Sequence, residues 1–330
     1  MDELHLHAED GIVSAARAGE VGVTAVDLRR MLRSGSALRL CRGWYAVRDP
    51  AGEQAPWHGE DTWDSARRVH RLTTTALVRS FGGRVVASHH SALVLHGVST
   101  WQADLEIVHL ARTGDDHSRH RRGAVIHPPC GLPGVDVGGC TSTPPALAVV
   151  DVGLVPQPSG GPPRPFESLV AGDSALHQGV VSIQDLAVAV EHRRGHPHVR
   201  AVRRLLEHAD GGHETVGETR LAHALRLLGH DTEAQYPWPV DGKEYRADLP
   251  IHGTGVLVEF DGMTKYLGNA SRPPDALAAR RAFAAEKVRQ DRMTETGAEF
   301  VRVTWSQLDD LAALGRRVDA AIARWRLRCA

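Results

Sequence analysis

The chain has 330 residues, which is long for a single domain and predicts at least two hydrophobic cores. Its 39 Lys and Arg residues nearly balance 40 Asp and Glu residues, so no global positive field draws it to nucleic acid. The four cysteines are scattered without a CxxC pair, which excludes a disulfide framework or a zinc knuckle, and no apolar run is long enough to span a bilayer. We therefore expect a cytoplasmic protein without a membrane partner, in which any contact with nucleic acid depends on local patches.

Residues 1–55 carry the signals of two helices followed by a hairpin. A short helix is predicted over residues 12–18, and Thr24 is the expected N-cap of a second helix that stops at Gly35. Two strand-like runs then meet at residues 42–43, as the strands of a hairpin do. This order is typical of a winged helix-turn-helix.

Five arginines make this first region a candidate DNA-binding surface. They are Arg29, Arg30 and Arg33 on the second helix, and Arg39 and Arg42 on the hairpin. In a winged helix-turn-helix the second helix enters the major groove and the hairpin contacts the backbone. Two alternatives remain open, because these arginines also fit a solvated face and a winged helix can dock a protein instead of DNA.

Residues 56–205 predict a mixed α/β region with a proline- and glycine-rich stretch, LVPQPSGGPPRPFES, followed by three short helices. Two groups of potential metal ligands occur here, but their spacing does not place three ligands on one helical face, and no metal site is predicted from them. The groups are His89, His90 and His96, and His127 with Cys130 and Cys140.

Residues 206–330 begin with an amphipathic helix, TVGETRLAHALRLLG, on whose inner stripe Glu218 precedes Leu221 by one turn. An inward carboxylate needs a physical reason. One reason is a capping box, since Thr215 and Glu218 have the T-x-x-E spacing. The other reason is catalysis, and one residue can serve both.

Two strand-like runs follow, KEYRADLPI and VLVEFDG, and their alternation places acidic residues together. The first run has Tyr245, Ala247 and Leu249 on one face and Arg246 and Asp248 on the other. The second run has Val256, Val258 and Phe260 on one face and Leu257, Glu259 and Asp261 on the other. Paired as a hairpin, the runs bring Asp248 beside Glu259 and Asp261.

Three neighbouring carboxylates repel one another unless a cation neutralises them. Mg²⁺, or Mn²⁺ in its place, takes such oxygen ligands and completes its shell with water and substrate phosphate. We therefore predict a metal site at Asp248, Glu259 and Asp261 that supports phosphodiester hydrolysis. Lys265 and Lys287 are the candidates for a lysine that polarises the attacking water.

The order of these motifs resembles the very-short-patch-repair-like branch of the PD-(D/E)xK nuclease superfamily, over roughly residues 213–310. The motifs are the helix with Glu218, the strand with Asp248, the E-F-D-G box, the helix EKVRQDR and the strand VRVTW. The resemblance implies a restriction-endonuclease-like α/β/α domain. It also implies acidic metal-site roles for Glu218, Asp248 and Glu259, with Asp261, Lys265 and Lys287 as supporting groups.

The sequence departs from the superfamily pattern at one position. The pattern has a lysine two residues after the glutamate, whereas here that position is Asp261, so Lys265 or Lys287 has to replace the lysine if the protein cleaves. The R-G-x-Y box at residues 42–45, with SHHSALVLHG and GCTSTPPALAVVDV further on, is similar to the AbiEi-like antitoxins of type IV toxin–antitoxin systems. That resemblance implies DNA and a cognate toxin or defence protein as partners.

The sequence thus predicts an α+β multidomain chain: a winged helix-turn-helix (1–55), a mixed α/β middle region (56–205) and an endonuclease-like domain (206–330). The leading functional hypothesis is a Mg²⁺-dependent DNA endonuclease targeted by the winged helix, in phage defence or toxin–antitoxin regulation. The alternative is a non-catalytic, antitoxin-type transcriptional regulator. A third reading is an interaction protein whose carboxylates make salt bridges with Arg246 and Lys265.

Overall fold

The structure is a computed structural model that describes residues 3–52, 54–114, 119–121, 123–157, 160–240, 243–262, 288 and 292–329. The chain is α+β and divides into two compact units. The first unit comprises Met1–Ala171 and Val180–Glu207, and the second comprises Gly172–Gly179 and His208–Ala330. No helix among the described residues has both the length and the apolar character needed to cross a bilayer.

The first unit begins with a three-stranded antiparallel sheet of order β1-β3-β2 and two helices. The elements are β1 (Ile12–Ser14), α1 (Ala15–Glu20), α2 (Ala25–Ser34), β2 (Ala37–Cys41) and β3 (Trp44–Val47). As predicted, Thr24 caps α2 in a capping box with Asp27, and Gly35 ends it in a left-handed conformation at φ +73°. The hairpin turn of residues 42–43 is also confirmed, with Gly43 at φ +78°.

The predicted helix over residues 12–18 is wrong at its start. The β-branched Ile12 and Val13 pair with β3, opposite Ala46 and Tyr45, because this buries both side chains in the sheet. Helix α1 begins only after Ser14, whose hydroxyl accepts a hydrogen bond from the Arg17 N–H at 3.1 Å.

A six-stranded mixed sheet forms the centre of the first unit, with strand order β6-β7-β5-β4-β9-β8. Its strands are β4 (Val85–Ala87), β5 (Val108–Arg112), β6 (Arg119–Arg121), β7 (Ala124–His127), β8 (Val135–Asp136) and β9 (Thr141–Ser142). The pairs β5–β7 and β4–β9 are parallel, and the other pairs are antiparallel. Leu95, Leu110 and Ile126 belong to the buried core that covers this sheet.

Helices lie between the strands of this sheet in the sequence, before the first of them and after the last. They are α3 (Thr62–Ser80), α4 (His89–Leu95), α5 (Pro145–Val152), α6 (Phe166–His177), α7 (Ile183–His192) and α8 (Val199–Leu206). The last three are the three short helices predicted from the sequence. Ser182 and Asp185 form a capping box at the start of α7, which explains why that helix begins where it does.

The described residues of the second unit form a two-stranded antiparallel hairpin, a three-stranded sheet and two long helices. Its elements are α9 (Val216–Leu227), β10 (Tyr236–Val240), β11 (Lys243–Ala247), β12 (Leu249–Pro250), β13 (Val256–Phe260), β14 (Glu299–Val303) and α10 (Leu311–Cys329). Strand β10 pairs with β11. In the three-stranded sheet β13 is central, antiparallel to β12 and parallel to β14.

Both faces of β13 are buried, and its alternation is as predicted. Val256 and Val258 belong to one core with α9 and α10, while Leu257 belongs to a second core with Val240 and Ala247. The prediction that Leu249 shares a face with Tyr245 and Ala247 is wrong, because Leu249 packs in the first core. The regular alternation of side chains is interrupted at Asp248, between the end of β11 and the start of β12, so Ala247 and Leu249 pack into different cores.

Candidate functional site

The predicted hairpin of the two runs is present only over Leu249–Pro250, which pairs with β13, whereas β11 pairs with β10. Leu249 lies opposite Val258, so Asp248, the residue before Leu249, and Glu259, the residue after Val258, lie at the same end of this pair. Strand alternation places the Glu259 side chain on the face of Leu257. Asp261 follows directly after β13, and its N–H donates to the Val303 carbonyl at 2.9 Å. We call Asp248, Glu259 and Asp261 the carboxylate edge.

The N-terminus of α9 packs at the same end of β13. A methyl group at Gly217 would lie 2.0–2.4 Å from three carbons of the Phe260 ring, so only a glycine permits this approach. Glu218 follows Gly217, and its carboxylate accepts from the Thr215 hydroxyl at 2.9 Å and from the Glu214 N–H at 2.8 Å. Glu218 thus has a capping role beside the strand that carries Glu259.

Glu259 is buried, at 5% exposure, and among the described residues a positive partner is close to it. Arg302 lies opposite it on β14, with Nε 3.7 Å from the Glu259 Oε2 atom. This ion pair compensates part of the cost of burying the carboxylate. It also means that a metal ion at Glu259 would share the carboxylate with the guanidinium.

The carboxylate edge fits a Mg²⁺ ion in part. In the described part of the chain, the only group of three metal-ligand side chains with donor atoms all within 4.8 Å of one another consists of histidines, so the carboxylates do not form a closed three-ligand set. Mg²⁺, however, is commonly held by one or two carboxylates and keeps several waters. Asp248 and Glu259, at the same end of the β12–β13 pair, are the candidates for that smaller set.

Lys265 and Lys287, the two candidates for the lysine of the hydrolytic site, lie outside the described residues. The described chain reaches residue 262, three residues before Lys265, and resumes with residue 288 immediately after Lys287. Their roles therefore stay predictions. Arg246, the other cation considered for these carboxylates, is exposed on β11.

The five arginines of the N-terminal region are all exposed. Arg29 and Arg33 lie one turn apart on α2, and Arg30 is three residues before Arg33, so one face of this helix presents three positive charges. Arg39 is on β2 and Arg42 is in the hairpin turn. We call these five residues the basic helix–hairpin.

Sequence spacing missed one cluster in the first unit. The two groups considered from the sequence were His89 with His90 and His96, and His127 with Cys130 and Cys140. The ligand atoms that come together in the structure are instead those of His89, His109 and His127. Burial, reinforced by the neighbouring His127 and His109, holds the pKa of His89 well below its usual range, so this imidazole is neutral at pH 7. The signal was missed because each histidine belongs to a different element, and helical spacing does not detect such a set.

Comparisons with known proteins find two similar sequences, and neither of them has an assigned activity. No protein-family model matches the chain. Two proteins of Mycobacterium tuberculosis, from strains CDC 1551 and H37Rv, are each 26% identical to it over 306 residues, which is 92% of this chain and 97% of theirs. Both are described as uncharacterized proteins. The chain is thus similar to them over both units.

Proposed function

We propose that the second unit hydrolyses phosphodiester bonds in DNA with a bound Mg²⁺ or Mn²⁺ ion, and that the basic helix–hairpin of the first unit binds the DNA. The observation that carries this proposal is the pairing of Leu249 with Val258, which brings Asp248 and the buried Glu259 to the same end of the β12–β13 pair. A second carboxylate close to a buried one increases the repulsion that a cation relieves. Arg302, with a side chain 47% exposed, supplies only part of that relief.

Each residue at the carboxylate edge has a distinct task in this proposal. A bound ion would supply an activated water and neutralise charge that develops on the phosphate. Asp248 and Glu259 would hold the ion, and Asp261 would accept the proton released by the attacking water. Glu218 fixes the start of α9 through its bonds to Thr215 and Glu214 and so keeps Gly217 against Phe260. Lys265 or Lys287 completes the site by stabilising the developing charge.

The basic helix–hairpin provides the contacts for duplex DNA. Arg29, Arg30 and Arg33 suit phosphate and guanine recognition from a helix in the major groove. Val26, at the start of α2, is apolar yet 55% exposed, as is suitable for contact with a thymine methyl group. Arg39 and Arg42 would then contact the backbone from the hairpin. The biological setting proposed for this targeting is phage defence or toxin–antitoxin regulation with a cognate toxin.

Plasmid nicking tests the hydrolytic part directly. Full-length protein is incubated with supercoiled plasmid in Mg²⁺, Mn²⁺ or EDTA, and wild type is compared with Asp248→Asn and Glu259→Gln. We expect metal-dependent nicking that falls at least about 100-fold in both variants, the size of loss typical when one group that stabilises the transition state is removed. The matched control is Glu299→Gln. Glu299 is also paired with arginines, Arg324 and Arg328, but lies at the opposite end of the parallel pair, beside Val256.

A DNA-binding regulator without catalysis is the second candidate. The Glu259–Arg302 ion pair and the capping bonds of Glu218 favour it, because these contacts occupy two of the acidic groups without any metal. Its signature is a DNA mobility shift that depends on Arg29 and Arg33 while no DNA form is cleaved in either metal. Nicking that is equal in wild type and Glu259→Gln would also contradict hydrolysis at the carboxylate edge.

A further inference from the structure

Three histidines from separate elements of the first unit converge at one place. His109 is on β5 and His127 is the last residue of β7, and these strands are parallel neighbours in which Ala111 pairs with His127. His89 is the first residue of α4, directly after the strand β4 that pairs with β5 on its other side. The sheet order therefore gathers residues that stand 20 and 18 positions apart in the sequence. We call them the histidine group.

The donor nitrogens of the histidine group are close enough to share one ion. One ligand atom from each residue lies within 4.8 Å of the other two. His109 Nδ1 and His127 Nε2 are 2.9 Å apart, and the rings of His89 and His127 stack at a centroid distance of 3.9 Å. In a tetrahedral zinc site with Zn–N bonds of about 2.05 Å, two nitrogens are about 3.3 Å apart. If His109 moved slightly away from His127 and the His89 ring tilted, the three nitrogens would therefore reach the spacing of a zinc site.

Surrounding contacts hold the rings in place as partners of metal ligands usually do. The Ser88 hydroxyl lies 3.0 Å from His89 Nδ1; if it accepts that proton, Nε2 carries the lone pair that a metal needs. The Ser91 hydroxyl accepts from the His109 backbone N–H at 2.8 Å and also lies 2.8 Å from His70 Nε2. The Ser88 contact thus holds the His89 ring in place, and the Ser91 bond holds the backbone of His109.

The backbone at His89 is held in an unusual conformation. Its φ is +49°, in the left-handed region that non-glycine residues seldom adopt. The flanking bonds maintain it, because the Ser88 N–H donates to the His109 carbonyl at 3.0 Å and the Ser88 carbonyl accepts from Ala92. Strain of this kind concentrates at functional sites. In this conformation the His89 ring stacks on that of His127.

The histidine group also borders a cavity of about 420 Å³, lined by His89 and His127 together with Cys130, Asp151 and Arg193. The Arg193 guanidinium lies on the cavity wall and is held in a two-point bond to Asp151, at 2.7 and 2.8 Å. A site with three protein ligands and an adjacent cavity has room for a fourth ligand from solvent. A closed structural site with four protein ligands lacks this room.

We infer that His89, His109 and His127 bind one late first-row transition metal ion, Zn²⁺ in the first place, with a coordination position open to the cavity. Imidazole nitrogens suit Zn²⁺ and are poor ligands for Mg²⁺, so this site is chemically distinct from the carboxylate edge. The open position takes water or a small anion, and the Arg193–Asp151 pair lines the cavity beside it.

Zinc titration of the full-length, EDTA-treated protein against a chromophoric chelator tests this inference. We expect one tight equivalent per chain, weakened at least about 100-fold in His109→Asn and His127→Asn, since even partners of ligands cost 10- to 100-fold. The matched control is His90→Asn. His90 is also buried and lies beside His109, but its Nε2 bonds to Glu167 at 2.7 Å. Glu259→Gln is expected to leave zinc affinity unchanged, which separates this site from the hydrolytic proposal.

X-ray absorption at the zinc edge on wild-type protein decides the question even if the variants misfold. Three imidazole ligands and one further light atom support the site, and two or fewer imidazoles overturn it. Cobalt-substituted protein tests the open position, because azide should shift its visible spectrum, and an unchanged spectrum contradicts an open position. Absence of tight zinc binding in wild type would mean that the histidines are a stacked, hydrogen-bonded core without an ion.

Discussion

The carboxylate edge and the histidine group are built in opposite ways. Glu259 and Asp261 are two residues apart at the end of one strand, and Asp248 directly precedes the two residues that pair locally with that strand. The histidines come from three elements and meet only because β4, β5 and β7 are consecutive in the sheet. A local motif thus reveals the chemistry of the first site, whereas only the sheet topology reveals the second.

The two sites also differ in how the protein compensates their polar groups. At the carboxylate edge, Arg302 stands 3.7 Å from Glu259, so protein charge already balances part of the carboxylate. In the histidine group, His109 Nδ1 and His127 Nε2 face each other at 2.9 Å, and one of these two nitrogens has to donate for a hydrogen bond to exist. A metal would compete with a cation at the first site and with a hydrogen bond at the second.

The packing of α9 against β13 can be broken with one methyl group. Gly217→Ala places a Cβ within 2.0–2.4 Å of the Phe260 ring, and we expect the free energy of unfolding to fall by about 1–3 kcal/mol, measured by urea denaturation. Cleavage should fall with it while zinc affinity is kept. Gly315→Ala is the matched control on α10, because the nearest atom there is a terminal carbon of Leu228 at 2.9 Å, which a rotamer change moves. Equal stability of both variants would contradict the close approach of α9.

DNA binding by the basic helix–hairpin can be tested with two matched double variants, each removing two arginines from a different helix. Arg29→Ala/Arg33→Ala should lower affinity for duplex DNA about tenfold or more at 0.1 M salt and reduce the slope of log affinity against log salt by about 2. Arg200→Ala/Arg204→Ala has the same spacing on α8 and removes exposed arginines as well. Fluorescence anisotropy across a salt series should show little change for this pair. A similar loss for both pairs would mean that binding follows net charge instead of the basic helix–hairpin.

The histidine-rich unit should lose stability in mild acid. His70 is 1% exposed, and burial lowers its pKa from the usual 6.5, although the bond to the Leu105 carbonyl opposes this. Below about pH 6.5 the unfolded chain binds a proton that the folded chain does not, so the free energy of unfolding falls by up to about 1.4 kcal/mol per pH unit. Urea denaturation at pH 7.5, 6.5 and 5.5 should show this fall, with a shallower slope in His70→Gln. Stability that rises toward pH 5.5 would contradict the sign.

The smallest expected effect concerns competition between Arg302 and a metal. Arg302→Gln removes a half-exposed partner of Glu259, and we expect a loss of less than about 1 kcal/mol in metal-free buffer. Because the buried carboxylate then lacks that cation, Mg²⁺ should restore stability more in this variant than in wild type. Thermal unfolding with and without Mg²⁺ measures the difference. The same Mg²⁺ response in both proteins would show that no ion binds beside Glu259.

Much of the fold followed from local signals. The sequence predicted the caps of α2 and α9 at Thr24 and Thr215, the hairpin turn at Gly43 and the alternation of β13, since each depends on neighbouring residues. Residues 12–14 were misread as helix because their strand pairing with β3 joins segments more than thirty residues apart.

The candidate sites show the same division. The pairing of Leu249–Pro250, next to Asp248, with β13 was predicted from the sequence. The position of Arg302, on a parallel strand some forty residues later, depends on pairing that no local pattern specifies. His109 was missed for the same reason, since its partnership with His127 requires knowing that β5 and β7 are parallel neighbours.

The most direct test of hydrolysis at the carboxylate edge is the nicking of supercoiled plasmid in Mg²⁺ by wild type and Asp248→Asn, prepared in parallel and matched for folding by circular dichroism. We expect wild type to nick the plasmid only with metal and Asp248→Asn to be at least about 100-fold slower. Cleavage that persists unchanged in Asp248→Asn, or a wild type that is inactive in both Mg²⁺ and Mn²⁺ while still binding DNA, would contradict it.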